Sequence, residues 1–236
     1  MTYPVKYIPN IITLSNLLIG CFGIVAASQG NLEMAAYFIW IAALLDFADG
    51  LVARALKAYS TIGADLDSLA DMVSFGVLPS FIMFGLIQNS TGLENTWIPY
   101  IAFSIAAFSA LRLAIFNVDT RQKDKFIGLP TPASALLISA LPLGTLAWFQ
   151  TLIASPAFLI VLTLVDAYLL VANLELLAFK FKNYSWAENK LKYVFMAISI
   201  VLFILFRAVA IPIVTLLYIL LSLIVSTKSE AEPQTR

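Results

Sequence analysis

Four aspartates, Asp46, Asp49, Asp67 and Asp71, stand in otherwise apolar sequence. The first pair lies in D-F-A-D-G-L-V-A-R and the second, eight residues further on, in G-A-D-L-D-S-L-A-D. A carboxylate at a bilayer centre costs roughly 2.5–3.5 kcal/mol on insertion scales, so four cost about 10 kcal/mol if uncompensated. Four acids close together also repel one another. Divalent cations relieve both costs, and an all-carboxylate oxygen set suits Mg²⁺ or Mn²⁺. Two ions shared by four carboxylates suit displacement at phosphorus. The chain has no histidine. A histidine-ligated zinc site is therefore excluded, and any general base is a carboxylate, lysine, tyrosine or water.

The spacing specifies the elements that carry these groups. Asp46 and Asp49 are i, i+3, and Gly50, Ala53 and Arg54 continue the same helical face. Gly63, Asp67 and Asp71 are i, i+4, i+8 on a second helix. If the stripes face each other, four carboxylates point into one cavity. Gly50, Ala53 and Gly63 are small enough to let a ligand approach the backbone, and Arg54 offers a planar fork for phosphate. Asp65, two residues from Asp67, turns away and reads as an interfacial solvated acid. A purely structural reading pairs the acids with Arg54 and Lys57, but leaves four acids facing two bases.

Composition places both stripes in a membrane. Of 236 residues, 61% are hydrophobic and 12% charged, against about 45–50% apolar and about 25% charged in soluble domains. Helices are expected near 9–28, 33–57, 64–88, 97–118, 132–151, 156–180, 191–208 and 210–226. The fold class is thus an all-α polytopic bundle of about eight transmembrane helices. It forms a single membrane domain over 1–236, with six core helices over 9–180, two further helices over 191–226 and a polar tail over 227–236. Ala26-Ala27-Ser28 has the look of a signal cleavage site, yet the preceding run is long and carries Asn10, Thr13, Ser15 and Asn16, so a retained helix is expected. Cys21, the single cysteine, reads as a buried structural thiol. Of the fourteen basic residues only Arg207 falls toward one side. The crowded side is assigned to the cytoplasm, with both termini and the aspartates there.

The run D-x-x-D-G-x-x-A-R-x8-G-x-x-x-D-x-x-x-D is complete here as Asp46, Asp49, Gly50, Ala53, Arg54, Gly63, Asp67 and Asp71. It resembles the signature of the CDP-alcohol phosphotransferase family. The opening Pro9-Asn10-Ile11-Ile12-Thr13-Leu14-Ser15-Asn16 resembles that family's P-N-x-x-T-x-x-N. The resemblance implies two divalent ions, Mg²⁺ or Mn²⁺, on Asp46, Asp49, Asp67 and Asp71. Asp71 would also be the catalytic base. Gly50, Ala53, Arg54 and Gly63 would hold the cytidine diphosphate, with contributions from Asn10 and Thr13; helix capping is the plainer reading of those last two.

Two further stretches, Asp67–Pro79 and Arg112-Leu113-Ala114-Ile115-Phe116-Asn117 followed by Phe126–Pro132, look like the phosphatidylserine synthase branch of that family. Ile115 departs from it, standing where a second arginine is common. The implied reaction moves a phosphatidyl group from CDP-diacylglycerol to L-serine and releases CMP. Arg112 would fork the serine carboxylate, Asn117 would contact its polar groups, and Gly128 and Pro130 would shape the acceptor pocket. Lys123 and Lys125 read as attraction to anionic headgroups. An inner-membrane homodimer is expected, with membrane lipid as a partner and no nucleic acid. Within the family, glycerol 3-phosphate or an inositol phosphate is the alternative acceptor. Outside it, a cation transporter explains the charge but not the fixed glycines, Ala53 and Arg54. Asp166 and Glu175 are expected on the sixth helix, with Asp166 pairing to a bundle partner such as Arg207.

Overall fold

The computed structural model describes residues 7–58, 60–90, 96–119, 126–176 and 185–231. Lys123 and Lys125 lie outside them, as do Arg121, Lys180 and Lys182. The fold is a helical bundle with one two-residue strand pair. Helix α1 spans Ile8–Ser28, with Pro9 in its first turn, where a missing N–H costs nothing. Gly30, at φ 82°, makes the turn into α2 (Leu32–Leu56), and Asn31 caps that helix by accepting from the Met34 N–H at 3.1 Å. Lys57 closes α2 in the left-handed region at φ 48°, and the Ala58 N–H returns to the Ala53 carbonyl at 3.0 Å.

Helix α3 (Gly63–Asp71) runs into a π-helical turn over Met72–Val77 and then into α4 (Leu78–Gln88). The wide turn has an identifiable cause. Pro79 has no N–H to return to the preceding turn, and its ring crowds the backbone there. The Ser80 hydroxyl donates to the Gly76 carbonyl at 2.7 Å. A 3₁₀ turn over Ile98–Phe103 leads into α5 (Ser104–Val118). Strand β1 (Phe126–Ile127) pairs antiparallel with β2 (Glu175–Leu176).

Three sequence expectations need correction. The helix expected over 132–151 is two, α6 (Thr131–Leu143) and α7 (Ala147–Ile153), bent by 112°. Pro142 and the extended backbone of Gly144 and Leu146 end the first, and the Gln150 side chain donates to the Gly144 carbonyl freed by the break. The helix expected over 156–180 is α8 and stops at Val171. Glu175 therefore sits on β2 rather than on that helix. Among the described residues five stretches are long and apolar enough to cross a membrane, or six counting the bent pair, and α8 is shorter. The last stretch, Asn189–Val225, holds two expected helices, α9 (Trp186–Phe206) and α10 (Ala210–Ala231). Arg207, at φ 51°, turns the chain between them, and the Phe195 and Tyr218 rings meet at 6.4 Å.

Small residues let α1 approach its neighbours closely. A Cβ on Gly20 would lie 2.4 Å from Ser74 Oγ, and one on Gly23 would lie 2.5 Å from a Leu78 methyl. Ile39 of α2, Phe75 of the π turn, Ile82 of α4, Ile105 of α5 and Ile138 of α6 fill the centre. Leu44, Phe47, Val161, Leu164 and Tyr168 are exposed, as a lipid-facing surface requires. Cys21 is half-buried rather than fully buried.

Candidate active site

At one end of the bundle α1 begins, α2 ends and α3 begins, and the two aspartate stripes meet there. The ligand oxygens of Asp46, Asp49 and Asp67 lie within 4.8 Å of one another. Asp71, one turn beyond Asp67, lies close enough to Asp46 and Asp67 for their charges to act on it. Among the described residues no ion pair joins Arg54 or Lys57 to the four aspartates, so the structure gives the pairing reading no contact. Both lysine and arginine are exposed.

The arrangement fits divalent cations. Its donors are all carboxylate oxygens, the set expected for Mg²⁺ or Mn²⁺. Asp71 Oδ1 is buried and has no hydrogen-bond partner among the described residues, which is costly for a polar atom unless a ligand meets it. Asp49 is buried, and its Oδ2 accepts from Thr13 Oγ1 at 2.6 Å. That hydroxyl also lies 3.0 Å from the Pro9 carbonyl. It has one proton, and the carboxylate is both nearer and the stronger acceptor. Thr13 therefore steadies an aspartate, a contact that neither capping nor nucleotide binding anticipates.

Two cavities flank the carboxylates. The first, about 260 Å³, is lined by Asn10, Thr13, Asp49, Gly50, Ala53, Gly63 and Asp67. Every residue expected at the nucleotide lies on its wall except Arg54, whose exposed guanidinium sits over Gly50. Asn10 Oδ1 accepts from Ser60 Oγ at 3.1 Å, tying the start of α1 to the loop before α3. A Cβ on Gly63 would lie 3.1 Å from that Ser60 oxygen.

The second cavity, about 280 Å³, is lined by Asp67, Asp71, Arg112, Asn117, Pro130 and Thr131 among others, and shares Ala64 and Asp67 with the first. Arg112 is buried on α5, its guanidinium carbon 5.1 Å from the Phe116 ring centre and its Nε without a hydrogen-bond partner among the described residues. Asn117 is exposed and exchanges hydrogen bonds with Ser68, at 3.2 Å as acceptor and 2.9 Å as donor. Gly128 is absent from this wall. Its φ is 76° and its N–H donates to the Leu174 carbonyl at 2.9 Å, so its requirement is backbone packing. Ser60, Ala64, Ser68 and Thr131 were not anticipated; Ala64 and Ser68 carried a signal, being i+1 from Gly63 and Asp67. Asp166 is bonded to Ser134, not to Arg207.

A Helicobacter pylori protein named CDP-diacylglycerol–serine O-phosphatidyltransferase is 36% identical over 137 residues, covering 57% of this chain and 56% of that protein. A Bacillus subtilis protein of the same name is 31% identical over 179 residues, 74% of this chain and 92% of the relative. One from Methanocaldococcus jannaschii is 34% identical over 131 residues, 56% and 58% respectively. The chain thus spans little more than half the length of the Helicobacter relative and nearly all of the Bacillus one. The sequence model described as CDP-alcohol phosphatidyltransferase matches residues 6–154, which hold all four aspartates and both cavities, and the chain belongs to that family.

Proposed function

We propose that this protein transfers the phosphatidyl group of CDP-diacylglycerol to L-serine, forming phosphatidylserine and CMP. The observation that carries the reading is the pair of cavities meeting at Asp67 and Ala64 beside the four aspartates. The first cavity has room and small walls for the cytidine diphosphate, at Gly50, Ala53 and Gly63. The second has, among the described residues, one buried guanidinium, Arg112, suited to a single carboxylate. Acceptors that carry a phosphate want a denser basic lining than this.

Asp46, Asp49, Asp67 and Asp71 would hold two divalent cations, which when bound offset charge on the diphosphate and on the departing CMP. Asp71, on the acceptor side, takes the proton of the serine hydroxyl. That oxygen attacks the phosphorus bearing diacylglycerol, a new P–O bond forms, and the bond to CMP breaks. Thr13 holds Asp49 in place and Asn117 holds Ser68 next to Asp67. The excess of basic residues on this side supports a cytoplasmic position at an inner membrane, where soluble serine and a lipid donor would both have access. The test is CMP release from CDP-diacylglycerol by purified protein in detergent with Mg²⁺ or Mn²⁺. Serine-dependent release with phosphatidylserine formed is the expected result. Release driven by another alcohol instead would replace the acceptor, and cation flux into proteoliposomes without CMP release would replace the enzyme with a transporter.

A further inference from the structure

Helix α8 (Pro156–Val171) begins beyond residue 154, where the family match ends, and carries one ionisable acid in its span, Asp166. Its side chain is 2% exposed. An acid so deep in a membrane protein is costly and marks a functional position by default. Asp166 Oδ2 accepts from Ser134 Oγ at 2.6 Å, while Oδ1 has no partner among the described residues. Ser134 lies on α6 in the turn after Thr131 and Pro132, which line the second cavity with Pro130.

The same helix grips the segment leading into α6 at two more places. The Leu129 N–H donates to the Leu169 carbonyl at 2.8 Å, and the Gly128 N–H to the Leu174 carbonyl, just past the helix, at 2.9 Å. Gly128 comes so close that a Cβ there would lie 2.5 Å from the Leu170 carbonyl oxygen. Helix α8 also packs along α5, which carries Arg112. One helix therefore packs against both elements that supply walls of the second cavity, α5 with Arg112 and the segment Pro130–Pro132 leading into α6.

We propose that Asp166, acting through Ser134, is a positioning residue that sets the separation of these walls and hence the affinity for the acceptor. The proposal rests on reading the second cavity as the acceptor site. Asp166 lines neither cavity and is not one of the clustered carboxylates, so on this proposal the donor's cavity and the chemical step do not depend on it.

The experiment measures CMP release against serine and against CDP-diacylglycerol for the wild type, Asp166→Leu, Asp166→Asn, Ser134→Ala and Arg112→Gln, each with a melting curve in detergent. Asp166→Leu and Ser134→Ala should raise the serine KM about tenfold, the scale of one lost buried hydrogen bond to an acid. The KM for CDP-diacylglycerol and kcat should stay within about twofold, inside the scatter of a neutral change. Asp166→Asn keeps an acceptor for Ser134 and should recover most of the serine affinity. If Asp166→Leu fails to fold, Ser134→Ala and Asp166→Asn carry the same comparison. Equal rises in both KM values, a fall in kcat alone, or no change in any parameter overturns the proposal. If Arg112→Gln raises the serine KM and the Asp166 and Ser134 variants do not, the latch is wrong and the acceptor site stands. If none of them moves it, the acceptor reading itself falls, and the latch with it.

Discussion

Replacing Thr13 with valine separates two roles for this residue. Valine keeps the β-branched shape, so α1 loses neither helix propensity nor packing volume. What disappears is the hydroxyl 2.6 Å from Asp49 Oδ2. Asp49 is 6% exposed, so water does not readily take its place. A hydrogen bond to a charged group contributes about 1.5–3 kcal/mol, roughly ten- to a hundredfold in an equilibrium constant. Groups that orient a metal's ligands cost about 10–100-fold in metal affinity when removed, the same range from another direction. Thr13→Val should therefore raise the Mn²⁺ or Mg²⁺ concentration for half-maximal CMP release by about tenfold or more. Saturating metal should restore most of the rate, with little change in the KM for CDP-diacylglycerol. The assay is a metal titration at saturating donor and serine. An unchanged metal requirement with a raised donor KM would refute the reasoning and return Thr13 to direct contact with the nucleotide.

Asp67→Asn and Asp71→Asn should each abolish turnover while the protein still inserts in the membrane and elutes as a folded species; a near wild-type rate from either would remove the mechanism. EDTA should stop CMP release and added Mg²⁺ or Mn²⁺ should restore it, whereas full activity in chelator would mean that the carboxylates hold no catalytic metal. Gly128→Ala should lower the melting midpoint, because alanine at φ 76° costs about 1–2 kcal/mol before its Cβ meets the Leu170 carbonyl. An unchanged midpoint would show that the loop relaxes at no cost.

The carboxylate cluster was legible because i, i+3 and i, i+4 spacing converts directly into helix faces, and Asp46, Asp49, Asp67 and Asp71 sit on two of them. Thr13 was legible as polar but not as a partner of Asp49, thirty-six positions away, because spacing along one helix does not identify a neighbour on another. Gly128 misled for a chemical reason: a glycine that clears space for a ligand and one that clears space for a carbonyl look the same in sequence. The end of α8 at Val171 was hidden because mostly apolar residues continue past it, and the Leu169 carbonyl in its last turn is claimed by Leu129 from another segment. The break at Gly144 did carry a signal, Pro142 two residues earlier, which an otherwise apolar run outweighed. Lipid-facing positions need no alternation with polar ones, so hydropathy marks a span without marking where it bends.

The wall shared by the two cavities, at Asp67 and Ala64, has a stereochemical consequence. On the proposed assignment, donor and acceptor would occupy separate chambers that open on the same phosphorus from different sides. Both substrates must be present before a bond breaks, so initial-rate patterns should intersect rather than run parallel. With the attacking oxygen arriving from one chamber and CMP leaving into the other, a donor made chiral at that phosphorus should give product of inverted configuration. Retention would require two successive displacements and a phosphatidyl group parked on the protein in between.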